Sequence, residues 1–414
     1  MKEIRQEAMA LASLSIYKGI LERTVPGAFY RLLWSVGGSE QEFLNAWGAF
    51  FAALCDRNGS DNFTESFTET ALFDENAFSL TAASGRTDFA PSMRSAAERD
   101  LGIIRSAASI TPEKILAGCG FEGLEALALP LWKTGEPAEP FRGAGSLAEN
   151  LADYYRKNGC GMFASYRAFI WRGGKITPVA HPDPTRMEDL KGYEEQRGMA
   201  VDNTLAFLNG LPANNCLLYG DRGTGKSSTV KALLNEYYPK GLRMIEMPKE
   251  SLSDFPLLVD QIAGLPMKFV IFIDDLSFSR QDDTYASLKA VLEGGLAARP
   301  ENTLIYATSN RKHLLRETFS DREGDEIHRG DTIQESLSLA DRFGLSISFS
   351  LPDKKEFLMI VRRLASQRGL KVELPQLEAG AERWAIGRGG RSPRCAKQYV
   401  RFVEARVRRG LPLD

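Results

Sequence analysis

The sequence predicts an α/β protein whose core is a five-stranded parallel sheet between two layers of helices. Five short apolar runs lie in the second half of the chain, a helix-competent segment follows the first, and two of the runs end in polar residues. Strands that are buried on both faces of a parallel sheet read as continuous apolar runs. The runs are Cys216–Tyr219, Leu242–Met247, Lys268–Ile273, Thr303–Thr308 and Leu345–Phe349.

The order of these elements along the chain predicts four parts. We expect a mainly helical N-terminal domain over residues 1–157, a hairpin and linker over 158–185, the sheet-containing core over 186–351, and a helical lid over 352–414. The hairpin is indicated by two β-type runs that flank Gly173 and Gly174.

The N-terminal part contains helix signals but no motif that indicates a reaction. Ser39 and Glu42 form a capping box before an apolar helix that contains Trp47, which we interpret as core rather than as a partner-binding surface. Residues 57–90 are rich in Ser, Thr, Asn, Asp and Gly, and we expect them to be irregular. Another helix is expected to begin near Pro91.

Composition and charge exclude several classes of protein. The 414 residues are 43% hydrophobic and 26% charged with a net charge of −2, so no global basic field attracts nucleic acid. Five well-separated cysteines without a C-x-x-C pair argue against a disulfide framework or a zinc site. Neither a signal peptide nor a long uncharged apolar run is present, so we expect a cytoplasmic protein that does not contact a membrane.

A phosphate-binding motif follows the first apolar run directly. Residues 220–227 read G-x-x-x-x-G-K-S, with a strand before them and a helix after them, which is the context that this loop requires. Glycines let backbone N–H groups turn toward a phosphate chain, and the helix N-terminus adds partial positive charge. Lys226 would reach the β- and γ-phosphates of ATP, and the Ser227 hydroxyl would ligate Mg²⁺. Nucleotide contacts are expected from Gly220, Asp221, Arg222, Gly223, Thr224, Gly225, Lys226, Ser227 and Ser228.

Polar residues follow two of the later apolar runs. Asp274 and Asp275 end the third run, and Asn310 follows the fourth. Ligands of parallel sheets bind at the C-terminal ends of the strands, so these side chains are expected to face the phosphates. Asp274 would hold Mg²⁺ through water, Asp275 would polarise the attacking water, and Asn310 would bond the water or the γ-phosphate.

Two arginines complete the expected site. Arg342 follows a long polar stretch, 316–335, and stands between a predicted helix end and the last strand, where subunit surfaces usually lie. Arg394 falls in the first turn of a final helix with Ser392 at the N-cap, and it can reach back to the γ-phosphate. The segment 190–196 leads into the loop and is expected to pack over the nucleotide base.

Taken together, residues 183 to 410 resemble an AAA+ ATPase. More narrowly, the stretches PANNCLLYGDRGTGKSS, FIDDLSF, YATSNRKHLL, SLADRFGL and GRSPRCAKQ resemble a bacterial family of predicted ATPases catalogued as a domain of unknown function. The resemblance implies that Asn310 is the sensor-1 residue, Arg342 the arginine finger and Arg394 the sensor-2 residue. It also implies that Lys226, Ser227, Asp274 and Asp275 have Walker roles, although many members carry Glu at the position of Asp275.

The leading hypothesis is a homo-oligomeric ATPase that uses ATP and Mg²⁺ to remodel or load a macromolecular client. One alternative is an ATP-dependent binding switch with little turnover, and another is a DNA-associated ATPase similar to helicase loaders. A small-molecule kinase would use the same loop, but the strand that ends in Asn310 and the Arg-Phe-Gly box favour AAA+. Nucleic acid is a possible client because the last helix is basic.

Overall fold

The computed structural model describes residues 1–57, 61–86, 88–277, 283–293, 300–310 and 341–413. These residues form two compact units, and each is described by itself. The first contains residues 1–165 and 264–267, and the second contains 166–263 and the residues from 268 onward. The polar stretch 316–335 lies outside the described ranges, whereas Asp341, just before Arg342, is helical as the expected helix end requires.

The described part of the first unit is helical. Its α-helices are α1 (Lys2–Ala12), α2 (Thr24–Ser35), α3 (Glu40–Asp56), α4 (Phe63–Leu72), α5 (Ala77–Ala83), α6 (Pro91–Ala108), α7 (Pro112–Cys119), α8 (Glu139–Arg142), α9 (Leu147–Asn158) and α10 (Gly161–Ser165), with 3₁₀ turns at Lys18–Glu22 and Leu124–Leu127. Its core is aromatic: the rings of Phe29 and Phe63 lie 4.4 Å apart, and those of Trp47 and Trp132 lie 4.9 Å apart. Trp47 is 1% exposed, which confirms that α3 faces the core.

The expectation that residues 57–90 are irregular is wrong, because α4 and α5 lie within them. Asn62 and Asn76 cap these helices: Asn62 Oδ1 accepts from the Glu65 N–H, and Asn76 Oδ1 accepts from the N–H groups of the first turn of α5. Thr68 is fully buried, and its hydroxyl donates to the Thr64 carbonyl 2.7 Å away. The polar residues that suggested a loop therefore act as caps and as buried hydrogen-bonding groups.

A buried carboxylate organises the turn that follows α1. Asp100, on α6, is fully buried, and its Oδ2 accepts from the N–H groups of Ser15 and Ile16, both at 2.8 Å. The same oxygen accepts from the Tyr17 N–H at 3.2 Å and from the Ser15 hydroxyl at 3.1 Å. One side chain thus satisfies three backbone donors of the turn between α1 and the 3₁₀ turn at Lys18–Glu22.

The second unit contains a seven-stranded sheet in the order β2-β1-β4-β5-β6-β3-β7. Its strands are β1 (Ala168–Arg172), β2 (Lys175–Pro178), β3 (Cys216–Gly220), β4 (Leu242–Glu246), β5 (Lys268–Ile273), β6 (Thr303–Ser309) and β7 (Leu345–Phe349). The five predicted strands are β3 to β7, and they are parallel to one another. The predicted hairpin extends this sheet, since β1 pairs in parallel with β4 and β2 pairs antiparallel with β1.

Helices cover the sheet, and three more form the lid. The α-helices of this unit are α11 (Glu194–Leu208), α12 (Lys226–Tyr237), α13 (Phe255–Ile262), α14 (Asp283–Glu293), α15 (Lys354–Gln367), α16 (Leu374–Ile386) and α17 (Pro393–Arg408), and 3₁₀ turns lie at Met187–Asp189, Tyr238–Lys240 and Lys249–Asp254. Lid helices α15 to α17 enclose their own core around Phe357, Val361 and Tyr399. Across the described ranges, no helix is both long enough and apolar enough to cross a membrane.

Replacing the buried carboxylate of Asp100 tests the account of the first unit. Asp100→Ala should lower the free energy of unfolding by about 3 kcal/mol or more, because three backbone N–H groups lose the buried carboxylate that accepts from them. Chemical denaturation of the full chain measures this. Asp153→Ala, which removes a carboxylate that is 74% exposed, is the matched control and should change stability by no more than about 0.5 kcal/mol. Equal stability of the two variants would contradict the role of Asp100.

Candidate nucleotide-binding site

The glycine-rich loop after β3 needs glycine at defined positions. Gly220 has φ +126°, and a Cβ there would lie 2.3 Å from the carbonyl oxygen of Phe349, at the end of β7. Only glycine therefore lets the loop leave the sheet so close to the neighbouring strand. Gly225 has φ +100° and precedes the first residue of α12, so the loop turns directly into the N-terminus of that helix.

Lys226 places a cation in the loop. Its side chain is 6% exposed, and Nζ donates to the carbonyl oxygens of Gly220 at 2.9 Å and Asp221 at 2.7 Å. Nζ also donates to Asn310 Oδ1 at 3.3 Å. Burial lowers the pKa of this ammonium group, while the neighbouring carboxylates oppose the shift. Since all three hydrogen-bond partners are neutral oxygens, the positive charge remains available to an anion.

Ser227 and Asp274 meet at the start of α12. The Ser227 hydroxyl donates to Asp274 Oδ1 at 2.6 Å, and the Thr308 hydroxyl donates to the same oxygen at 2.5 Å. Thr308 Oγ1 also accepts from the Asp275 N–H at 3.0 Å. Sequence reasoning did not select Thr308 as a site residue. The available signal was a hydroxyl near the end of an apolar strand, on the same face as Asn310, because side chains alternate along a strand.

Asn310 connects the cation with the second carboxylate. Its amide oxygen accepts from Lys226, while its Nδ2 donates to Asp275 Oδ1 at 2.5 Å. Asp275 has φ +51°, in the left-handed region. Among non-glycine residues, aspartate and asparagine enter this region most readily because their short polar side chains bond locally. This backbone conformation gives a physical reason for Asp where many AAA+ proteins carry Glu.

These groups surround a cavity of about 460 Å³ at the C-terminal ends of β5 and β6. Its lining consists of Arg222, Gly223, Gly225, Lys226, Ser227, Ser228, Asp274, Asp275, Thr308, Asn310 and Arg394. Three residues that were expected to contact nucleotide lie outside this lining. Gly220 and Asp221 hold Lys226 through their carbonyls, and the buried Thr224 hydroxyl donates to the Asp221 carbonyl at 2.8 Å.

A second cavity of about 220 Å³ lies on the other side of the loop, between the segment before α11 and the lid. Three loop residues, Gly223, Gly225 and Ser228, line both cavities, and Thr224 lines the second cavity alone. Leu190, Lys191 and Arg197 line it from the core, and Ile360, Leu364 and Pro393 line it from the lid. The segment that was expected to pack over a base therefore borders a cavity adjoining the phosphate-binding loop.

The lid and the segment just before it each donate a hydrogen bond to the loop. The Arg394 N–H donates to the Gly223 carbonyl at 3.1 Å, and the Arg394 side chain lines both cavities. In the segment between β7 and the lid, the Leu351 N–H donates to Asp221 Oδ2 at 2.8 Å. Arg342 is half-buried just before β7, the edge strand beside β3, and it is not among the described residues that line either cavity.

The fold and this loop define the class of the protein. A parallel sheet with the loop after its β3 strand, two acidic residues after β5, an asparagine after β6 and a three-helix lid is an AAA+ nucleotide-binding unit. Residues 164–407 match the family described as Protein of unknown function (DUF815), so more than half of the chain is covered. The chain belongs to this family.

Two proteins with related sequences agree with the class. The chain is 31% identical over 188 residues to the human ATPase family AAA domain-containing protein 2, covering 40% of this chain and 12% of that protein. It is 25% identical over 168 residues to the Dictyostelium discoideum 26S proteasome regulatory subunit 6B homolog, covering 39% and 40%. The chain thus spans less than half the length of each. A Thermotoga maritima RuvB Holliday junction branch migration motor aligns at 17% identity with a TM-score of 0.38, covering 55% and 66%.

Thr308 allows a test of the hydroxyl that bonds both aspartates. Thr308→Val keeps the shape of the side chain but removes a hydrogen bond to a charged group, which contributes about 1.5–3 kcal/mol. We expect the Mg²⁺ concentration for half-maximal binding of a non-hydrolysable ATP analogue to rise about tenfold or more. Thr303→Val, at the other end of β6, is the matched control and should leave this concentration unchanged. Identical Mg²⁺ dependence of both variants would contradict the assignment.

Proposed function

We propose that the protein hydrolyses ATP and uses the energy to remodel or load a macromolecular client in the cytoplasm. The observation that carries the proposal is the Asn310 amide, which bonds both Lys226 and Asp275 beside the Ser227–Asp274 pair. A group that recognises phosphate, a candidate metal-binding pair and a candidate base therefore border one cavity. The five cysteines are all free, which supports a reducing compartment.

The residues present suit Mg-ATP. Lys226 and the loop N–H groups would bind the phosphates, with the N-terminus of α12 adding partial positive charge. Ser227 and Asp274 offer two hard oxygen ligands, and the described residues contain no cluster of three or more potential metal-ligating side chains. This donor set fits Mg²⁺, which takes few protein ligands and completes its shell with phosphate oxygens and water. When bound, the ion neutralises charge on the phosphates.

Asp275 is the proposed base. Its carboxylate lines the cavity that Lys226 also lines, and the Asn310 amide fixes its orientation. A water between Asp275 and the γ-phosphate would lose its proton to the carboxylate as it attacks. Asn310 would sense the terminal phosphate, because its oxygen bonds Lys226 and its nitrogen bonds Asp275.

Two arginines would act on the developing negative charge. Arg394 is in the same chain as the loop and lines the phosphate cavity, so we propose that it contacts the γ-phosphate in cis. Arg342 lies outside that cavity and next to the edge strand β7, so we propose that it reaches the nucleotide of a neighbouring subunit. A head-to-tail homo-oligomer provides such a contact. This arrangement favours hydrolysis over a binding switch, the second candidate, because a trans arginine stabilises the transferring phosphoryl group.

The first test concerns binding. Lys226→Ala should weaken ATP binding at least tenfold, since a charge-assisted hydrogen bond contributes about 1.5–3 kcal/mol. Isothermal titration calorimetry measures the affinity. Lys231→Ala makes the same change of charge on the same helix without altering the lining of either cavity, and it should bind ATP normally. Unchanged affinity of Lys226→Ala would refute the proposed phosphate site.

A subunit-mixing experiment tests hydrolysis between subunits. Asp275→Asn and Arg342→Ala should each bind ATP but hydrolyse it at least about 10²-fold more slowly than the wild type. In an equimolar mixture, about a quarter of randomly formed interfaces pair an intact base with an intact arginine, so activity should reappear. Phosphate release measures it, and each variant alone at the same total concentration is the control.

The subunit mixture and its controls distinguish the proposed roles of Arg342 and Asp275 from the alternatives. Activity that returns after subunit exchange supports a trans Arg342 and a catalytic Asp275. If subunits exchange and the mixture stays inactive, Arg342 acts in cis or supports the structure. If Asp275→Asn alone retains the wild-type rate, Asp275 is not the base. If the wild type binds ATP but does not turn it over under any condition, the binding switch is the better description.

A further inference from the structure

We propose that Arg197 is a positioning residue that makes the nucleotide site selective for adenine. It would do so by fixing the backbone of residues 189–191, the part of the wall of the second cavity that would face the base. The inference rests on the proposed function, since it takes ATP as the ligand of the phosphate-binding loop. Nothing in the motif that defines the loop specifies a base, because the loop contacts phosphate only.

The contact that supports the proposal is a hydrogen bond within the second cavity. Arg197, on the first turn of α11, donates from Nη1 to the Leu190 carbonyl at 2.7 Å. Both residues line the cavity that adjoins the phosphate-binding loop. The guanidinium therefore fixes a backbone carbonyl at the border of the space where a base would lie when the phosphates of the nucleotide occupy the loop.

Other backbone bonds of this segment are also satisfied internally. The Asp189 N–H donates to the Arg186 carbonyl at 3.1 Å, and the Leu190 N–H donates to the Met187 carbonyl at 3.2 Å. With the Leu190 carbonyl bonded to Arg197, the N–H and carbonyl of Lys191 are left without a backbone partner among the described residues. One donor and one acceptor at a fixed position can read the edge of a purine, which also presents donors and acceptors in a fixed order.

The lid supplies apolar surface to the same cavity. Ile360 and Leu364 are buried and line it opposite the 189–191 segment. Gly192 has φ +79°, and a Cβ there would lie 2.9 Å from Ile360 Cδ1, so the segment approaches the lid closely. A flat aromatic base suits a narrow cavity with apolar side chains on one side and a polar backbone edge on another.

Partial burial of the Arg197 guanidinium beside this cavity has a desolvation cost. That cost argues for a specific role of this side chain. Burial lowers the pKa of the Arg197 guanidinium, and the nearby Glu194 carboxylate opposes that shift only in part. Glu194 itself pairs with Arg363 of the lid. A half-buried arginine that bonds one backbone carbonyl retains further N–H donors in a fixed planar arrangement, which lysine cannot reproduce.

The test separates base recognition from phosphate binding. Binding of ATP, GTP and inorganic tripolyphosphate is measured by calorimetry for the wild type, Arg197→Met and Arg197→Lys. Arg362→Met is the control, because Arg362 pairs with Glu378 within the lid and does not line the cavity. Tripolyphosphate carries no base, so its affinity reports the phosphate-binding loop alone.

We expect the wild type to bind ATP at least tenfold more tightly than GTP. Arg197→Met should lose about tenfold or more in ATP affinity, as for a hydrogen bond from a charged donor, and most of the preference over GTP. Its affinity for tripolyphosphate should equal that of the wild type. Arg197→Lys should recover part of the ATP preference, and Arg362→Met should keep all of it.

Three outcomes would overturn the inference. The wild type binds ATP and GTP equally, Arg197→Met keeps the wild-type preference, or Arg197→Met loses affinity for ATP and tripolyphosphate in equal measure. The last result would mean that Arg197 supports the fold of the whole site. If the wild type binds neither nucleotide nor tripolyphosphate, the proposed function itself fails, and that result is distinct from the other three.

Discussion

The site depends on one interaction, the hydrogen bonding of the Lys226 ammonium group. A cation with 6% of its surface exposed needs oxygen partners, and it finds them in two loop carbonyls and in the amide of Asn310. The carbonyls fix the curvature of the loop, and the amide fixes the end of β6 relative to it. Because the same amide bonds Asp275, the positions of the loop, the end of β6 and this carboxylate are linked through a single ammonium group.

The backbone makes this arrangement possible at two points. Gly220 allows the loop to pass within contact distance of β7, where any side chain would collide with a carbonyl oxygen. Asp275 occupies a left-handed conformation immediately after a regular strand, and this turns its carboxylate toward Asn310. An aspartate accepts that conformation more readily than a glutamate. The departure from the common acidic residue is thus coupled to local backbone geometry.

Sequence reasoning recovered the elements that follow from periodicity and from local chemistry. The five core strands, the N-cap at Ser392 and the capping box of α3 all agree with the structure. These features depend on residues close together in the chain. The pairing of β1 with β4 could not be predicted in this way, because about seventy residues separate the strands and no local signal specifies an edge partner.

The distinction between local signals and long-range contacts also explains two failures of the sequence analysis. One concerns residues 57–90 in the first unit, and the other concerns Thr308 in the site. Residues 57–90 have the composition of a loop, which obscured the local caps at Asn62 and Asn76, whereas the burial of Thr68 depends on tertiary contacts. Thr308 is one of several hydroxyl residues in β6. Its bonds to both aspartates depend on the register of β6 beside β5, which pairs Ile273 with Ala307. Residue type alone does not fix register.

Two hydrogen bonds to the loop, one from the segment before the lid and one from the last lid helix, could be followed by hydrogen exchange. The amide protons of Leu351 and Arg394 are held by Asp221 and by the Gly223 carbonyl, both on the glycine-rich loop after β3. Each amide is protected from solvent only while its segment stays in place against the loop. The Arg394 proton therefore reports movement of the last lid helix, and the Leu351 proton reports movement of the segment that joins β7 to the lid. Their exchange rates would differ if the last helix left the loop while that segment stayed in place.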